Sequence, residues 1–75
     1  MYYVYIIKKA GATDTYIGYT NNLKRRLKEH NNKQPELIYY EGYRDGRDAR
    51  ERERKLKQRG QTVRRLKERL RYSLI

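Results

Sequence analysis

Residues Tyr5 to His30 read YIIKKAGATDTYIGYTNNLKRRLKEH and combine a predicted hairpin with a predicted helix. Tyr5 and Tyr16 fall on the two strands, and Arg26 and His30 lie one turn apart on the helix. Phenol, guanidinium and imidazole groups bind phosphate or transfer protons. Composition alone is also compatible with tyrosines that only pack against the protein core. The rest of the chain is therefore needed to decide between packing and function.

The hairpin follows from the make-up of its two strands. Residues 2–7 are aromatic or β-branched throughout and apolar on both alternating faces, which predicts a central strand. Turn-forming residues at 11–14 lead into a second strand at 15–19, paired antiparallel with the first. Gly18 lies inside the second strand, where glycine is often kept because another group approaches closely.

A helix over residues 22–31 is predicted next, because the preceding Thr-Asn-Asn offers capping oxygens. Leu23 and Leu27, four residues apart, form its buried stripe. Arg26 and His30 lie at the margin of that stripe. A side chain there is partly desolvated and can still reach a cleft.

A third strand is predicted over residues 36–41, which read ELIYYE. Near the C-terminus, Thr62 can cap a last helix whose apolar stripe includes Leu66 and Leu70. This amphipathic helix is interpreted as a lid over the sheet rather than a membrane-binding segment, because the small core needs its apolar stripe.

The helix predicted between Asp45 and Gly60 is almost wholly charged, with Ala49 and Leu56 as its only apolar residues. Those two residues are nearly two turns apart and define one face. Glu53 lies about 40° from Ala49 on the same face. A carboxylate there either pairs with an arginine or holds a metal ion, and the spacing leaves both open.

Composition limits the class of protein. Seventy-five residues predict one domain, and the absence of cysteine excludes disulfides and cysteine-based zinc sites. With no signal peptide and no long apolar run, we expect a soluble, cytoplasmic monomer. The net charge is +11, of which residues 44–71 carry +8 and residues 1–43 carry +3. Such a charge favours nucleic acid as a partner, although it could also serve solubility.

The chain resembles the GIY-YIG nuclease domain, above all its small single-domain bacterial members. The resemblance rests on five pieces in the family's order, which are Tyr3-Val4-Tyr5, Tyr16-Ile17-Gly18, Arg26, His30 and Ala49-x-x-x-Glu53-x-x-x-Lys57. The fold it implies is α/β of the α+β type, a small three-stranded antiparallel sheet flanked by about three helices, in one domain over residues 1–75.

The resemblance implies endonuclease activity on DNA with one divalent metal, Mg²⁺ or Mn²⁺. Tyr5 and Tyr16 would lie beside the scissile phosphate, one of them as general base or water holder. Arg26 would bind the phosphate, His30 would assist the tyrosine or the leaving group, and Glu53 would hold the metal. Phosphodiester hydrolysis requires an activated water, neutralised phosphate charge and a stabilised leaving oxygen.

Further contacts to DNA are expected at Gly18, Lys24, Arg25 and Lys57. Gly18 would let the DNA backbone approach the sheet, while the three cations would bind phosphates. The DNA could be single-stranded, structured or duplex. Little sequence preference is expected, because so small a domain has little surface for reading bases. Other members of the family act in DNA repair, restriction and homing.

The sequence departs from the family pattern at three places. Tyr3 replaces the first glycine of the motif, Asn22 replaces a common acidic residue, and the connection over residues 31–36 is shorter than in relatives. The alternative hypothesis is therefore a non-catalytic basic nucleic-acid-binding domain, or an engineered mini-domain, of the same fold.

Overall fold

The computed structural model describes residues 1–9, 15–29, 35–58 and 60–73. These residues form a three-stranded sheet and three helices, which confirms the predicted α+β fold. In chain order the elements are β1 (Tyr2–Lys9), β2 (Thr15–Thr20), α1 (Leu23–Glu29), β3 (Pro35–Tyr43), α2 (Gly46–Gln58) and α3 (Gly60–Arg69). No helix of the described residues is long and apolar enough to cross a membrane.

Strand β1 is central, as its two apolar faces predict, and pairs antiparallel with β2 on one side and β3 on the other. Its alternation gives the sheet an inner face, with Val4 and Ile6, and an outer face, with Tyr3 and Tyr5. Helices α2 and α3 cover the inner face. The buried residues of this core are Val4, Ile6, Ala49, Leu56 and Leu66. Helix α1 lies on the outer face, where it contacts Tyr5.

Strands β1 and β3 both extend further toward their C-terminal ends than the sequence predicts. Strand β1 continues through Lys8 and Lys9, which pair with the start of β3 instead of ending the strand. Strand β3 continues to Tyr43, which lies opposite Tyr2. Ile38 has no partner in β1, because the register shifts there by one residue, and this bulge lets Ile38 pack against the core.

The starts of α1 and α2 match prediction, whereas α3 begins at Gly60. The prediction that Thr62 caps α3 is wrong, because Thr62 lies inside the helix. Asn22 caps α1, since its Oδ1 accepts the Arg25 N–H at 3.0 Å. None of the residues of α1 is buried, so the predicted stripe of this helix is only partly covered. The prediction that Gly60 closes α2 is wrong, because Gly60 is the first residue of α3. A Cβ at Gly60 would meet nothing within 4 Å, so packing does not require glycine there.

Candidate active site

Tyr5 is the most deeply buried of the described residues of the outer face, with none of its surface exposed. Gly18 lies directly opposite in β2, and the Tyr5 ring crosses over it. A Cβ at position 18 would lie 2.3 Å from both Cζ and Oη of Tyr5, far inside van der Waals contact. Glycine is therefore needed at position 18 to make room for Tyr5. Its predicted contact with the DNA backbone stays a prediction.

Arg26 reaches Tyr5 from α1. Its Nε donates to Tyr5 Oη at 3.1 Å, and its Nη1 donates to Glu29 Oε2 at 2.9 Å. The bond to Tyr5, and then the bond to Glu29, raise the pKa of Arg26 above its ordinary value. The side chain remains 38% exposed. Arg26 is thus a permanent cation, oriented by a buried phenol and open to solvent along part of its surface.

Tyr16 lies beside Tyr5 on the outer face. The two ring centroids are 6.5 Å apart and the ring planes are inclined by 43°. Tyr16 is 48% exposed, whereas Tyr5 is fully buried. The structure brings the two predicted tyrosines together and gives only one of them broad access to solvent.

Helix α2 brings Glu53 and Lys57 to the same edge of the sheet. The Lys57 Nζ lies 5.9 Å from the centroid of the Tyr16 ring and 3.3 Å from Glu53 Oε2. The Glu53 side chain is 23% exposed. Within the described residues Glu53 therefore pairs with a lysine one turn away rather than with an arginine, and the pair sits next to Tyr16.

The chemistry of Glu53 fits a divalent metal held by a single carboxylate. Mg²⁺ prefers oxygen ligands and commonly takes one or two carboxylates, with water and phosphate oxygens completing its coordination. Among the described residues there is no group of three or more His, Cys, Asp or Glu side chains that could hold a metal ion. Glu53 could contribute one ligand, with water and substrate supplying the others.

A family sequence model described as the GIY-YIG catalytic domain matches residues 1–68. The chain belongs to the GIY-YIG family. It is also similar to a UPF0213 protein of Clostridium perfringens (strain 13 / Type A), with 40% identity over 63 residues, or 71% of this chain and 67% of the relative. No solved structure matches the chain significantly. The resemblance seen in the sequence is thereby confirmed.

Two cations predicted to contact DNA in this GIY-YIG domain precede Arg26 in α1, and their contact with DNA stays a prediction. Lys24 and Arg25 are exposed on α1, and Arg25 Nε lies 3.7 Å from Glu29 Oε1. His30 lies outside the described residues, so its predicted role stays a prediction. The described site of the GIY-YIG domain is the run of contacts from Arg26 through Tyr5, Tyr16 and Lys57 to Glu53.

A polar cluster that the sequence did not predict lies on the inner face of the GIY-YIG domain. Glu41 sits opposite Val4, among apolar residues, with its side chain only 16% exposed. Arg52 donates to it through Nε at 3.0 Å and Nη2 at 3.1 Å. The hydroxyls of Tyr39 and Tyr43 donate to it at 2.9 and 2.5 Å. Every buried side-chain polar atom of the described residues has a hydrogen-bond partner.

These contacts decide the protonation of the Glu41 cluster. Burial alone would raise the pKa of Glu41, but hydrogen bonds from Arg52, Tyr43 and Tyr39 outweigh it and lower that pKa. Burial, and then the bond to Glu41, raise the pKa of Tyr43 to about 12. The cluster joins β3 to α2 one residue before Glu53. A signal for it was present in the sequence, since Tyr39, Glu41 and Tyr43 alternate with period two.

Proposed function

We propose that this GIY-YIG domain is a divalent-metal-dependent endonuclease that hydrolyses DNA phosphodiester bonds with little sequence preference. The observation that carries the proposal is the continuous cluster of Arg26, Tyr5, Tyr16, Lys57 and Glu53. A phosphate-binding cation, an exposed hydroxyl and a carboxylate are brought together from three different elements. Phosphodiester hydrolysis requires this combination of groups.

In this mechanism Arg26 binds a non-bridging oxygen of the scissile phosphate. Its planar guanidinium suits phosphate and remains charged at any working pH. Tyr5 acts as a positioning residue, because it is fully buried and its hydroxyl accepts the Arg26 Nε–H at 3.1 Å. Arg26 thus holds the substrate in a geometry that Tyr5 and Glu29 set.

Tyr16 is assigned the contact with the attacking water, because it is the exposed member of the tyrosine pair. Tyr16 orients the water by accepting a hydrogen bond from it. The water oxygen forms a bond to phosphorus and releases its proton to solvent, while the bond from phosphorus to the leaving oxygen breaks and that oxygen takes a proton from solvent. A divalent metal held by Glu53 would supply positive charge to the phosphate and to that water. Lys57 adds a second cation beside Tyr16.

Binding of the DNA backbone is assigned to the basic stripe, which comprises Arg47, Arg50, Arg54 and Lys57. These exposed side chains share one side of α2 by helical spacing. Over ten residues the stripe runs about 15 Å and ends at the cluster beside Tyr16. Arg50 lies over the ring of Tyr19, 5.2 Å from its centroid, which anchors the stripe to strand β2. Such contacts are independent of sequence and weaken with salt.

One observation favours a second candidate function, that of a non-catalytic DNA-binding domain. Lys57 already neutralises Glu53 at 3.3 Å, and a lysine that kept this position would compete with a metal ion. The basic stripe and Arg26 would then bind DNA without cutting it. The two candidates differ in whether metal addition produces cleavage.

The test uses end-labelled single-stranded, flap and duplex DNA incubated with Mn²⁺ or Mg²⁺. Arg26→Ala should slow cleavage roughly 10²- to 10³-fold, because the charge on the phosphate loses its preorganised partner. Lys28→Ala is the matched control, since Lys28 is an exposed cation of the same helix to which no contact with DNA is assigned. Equal rates in the two variants would contradict the assignment of Arg26. Absence of cleavage of every DNA form, with binding retained, would favour the second candidate.

A further inference from the structure

A pocket of about 440 Å³ opens on the outer face between α1 and strand β3. Leu23 and Leu27 of α1 form one wall, and Tyr3 and Tyr40 form the other. The two tyrosine rings meet edge to face, with centroids 6.0 Å apart and planes inclined by 64°. Tyr40 is 53% exposed, so a ligand can reach much of its ring.

The rim of the pocket is polar and positively charged. Asn21, Asn22 and Lys24 line this rim, and the Lys24 side chain is exposed. The Oδ1 of Asn21 accepts a hydrogen bond from Arg25 Nη2 at 3.4 Å. The Oδ1 of Asn22 caps α1 by accepting the Arg25 N–H. Amides hydrogen-bond the edges of nucleobases, and a lysine binds phosphate. Aromatic walls, amides and a cation form a site for a base with its attached phosphate.

The position of the pocket relates it to the cluster around Arg26. Tyr3 and Tyr5 lie on the same face of β1, two residues apart, which corresponds to about 7 Å along the strand. Helix α1 carries Arg26 toward Tyr5 and Leu23 and Leu27 toward the pocket. A DNA strand whose phosphate lies at Arg26 therefore has a neighbouring nucleotide within reach of the pocket.

We propose that this pocket binds an unpaired DNA base, stacked on Tyr40, from a nucleotide next to the phosphate held by Arg26. The volume lies within the range of about 300–1,000 Å³ typical of ligand sites. Every base offers a π-face for stacking, and in a duplex those faces are covered by neighbouring base pairs. The inference rests on the proposed function for its DNA substrate and adds that the substrate has an unpaired nucleotide beside the cut.

The experiment measures binding in EDTA, so that it does not depend on cleavage. Wild type and Tyr40→Ala are titrated with a fluorescent oligothymidylate of twelve nucleotides and with an abasic strand of the same length and charge. Tyr40→Phe retains the ring. Tyr72→Ala is the matched control, because Tyr72 is also an exposed tyrosine, at 76%, and lies after α3. Circular dichroism and thermal unfolding verify that each variant is folded.

Tyr40→Ala should weaken binding of the oligothymidylate roughly 5- to 150-fold, as expected for the loss of one stacked base. It should leave binding of the abasic strand unchanged, while Tyr40→Phe and Tyr72→Ala bind as wild type does. The proposal is overturned if Tyr40→Ala affects both strands equally or neither, or if wild type binds duplex DNA alone. Those results would leave the proposed endonuclease function unaffected. A wild-type protein that binds no DNA would contradict both the base-binding pocket and the endonuclease function.

Discussion

Gly18→Ala tests whether the Tyr5 position depends on the absence of a side chain at residue 18. The added Cβ would lie 2.3 Å from two atoms of the Tyr5 ring, whereas ordinary van der Waals contact begins at 3.4 Å. The ring must therefore move by about 1 Å. Tyr5 is completely buried, so it has no solvent-filled space into which to move. The displacement acts directly on its hydrogen bond to Arg26.

The expected loss of stability follows from overpacking. Forcing an extra methyl into a packed site costs about 1–3 kcal/mol. The lower entropy of the unfolded alanine chain offsets about 0.4–1 kcal/mol of that. The net loss is about 1–2 kcal/mol, a considerable part of the roughly 4–11 kcal/mol expected for 75 residues. For a domain of this size it lowers Tm by about 4–16 °C.

Thermal unfolding of Gly18→Ala and Gly60→Ala compares two glycines with opposite surroundings. At Gly60 a Cβ meets nothing within 4 Å, so alanine should leave Tm unchanged or raise it. In the DNA cleavage assay Gly18→Ala should lose up to about 10²-fold in rate, because a shift of 1 Å misplaces Arg26. In a Tyr5→Leu background, Gly18→Ala should cause much less loss of stability than it does in the wild type, because the ring that the new Cβ would meet is gone. A Gly18→Ala protein with wild-type Tm and wild-type activity would show that Tyr5 does not need the space at residue 18.

Three further predictions concern the cations and phenols. Arg52→Met should lower the free energy of unfolding in urea by about 2–4 kcal/mol, because it leaves the largely buried carboxylate of Glu41 without its cation. Arg54→Met, the control, should change it by less than about 0.5 kcal/mol. Burial, and then its hydrogen bond to a carboxylate, raise the pKa of Tyr43 to about 12, so the stabilisation by its neutral phenol is complete below pH 10 and is lost as the pH rises through about 12. Urea midpoints should fall over that window, and less so in Tyr43→Phe; equal falls would contradict the assignment. Arg26→Lys should reduce kcat/KM about 10²-fold because an ammonium group lacks the planar fork, while Arg25→Lys should be nearly neutral in the same assay.

The sequence was sufficient for features that depend on neighbouring residues. Alternation of side chains in residues 2–7 predicted a central strand, and β1 occupies that place. Ala49 and Leu56 were placed on one face of α2 by helical spacing, and both are buried. Asn22 was recognised as a candidate cap because capping needs only local geometry. The resemblance to the GIY-YIG family supplied the candidate site residues.

Features that depend on pairing between distant segments could not be predicted in the same way. Tyr5 lies opposite Gly18 in the strand register, and this is why packing requires a glycine at position 18. The spacing of residues in the sequence does not reveal that register. Glu41 and Arg52 are eleven residues apart and meet only because α2 folds back over the sheet. The difference in exposure between Tyr5 and Tyr16 likewise arises from tertiary packing around them.

The most direct test of the account is nicking of supercoiled plasmid DNA by the Glu53→Gln and Glu51→Gln variants, with Mn²⁺ and with EDTA. The two carboxylates are well matched, since Glu53 pairs with Lys57 at 3.3 Å and Glu51 pairs with Lys55 at 3.4 Å on the same helix. We expect nicking that requires Mn²⁺, is lost in Glu53→Gln and is retained in Glu51→Gln. Nicking that persists in EDTA, or that Glu53→Gln supports as well as Glu51→Gln does, would contradict it.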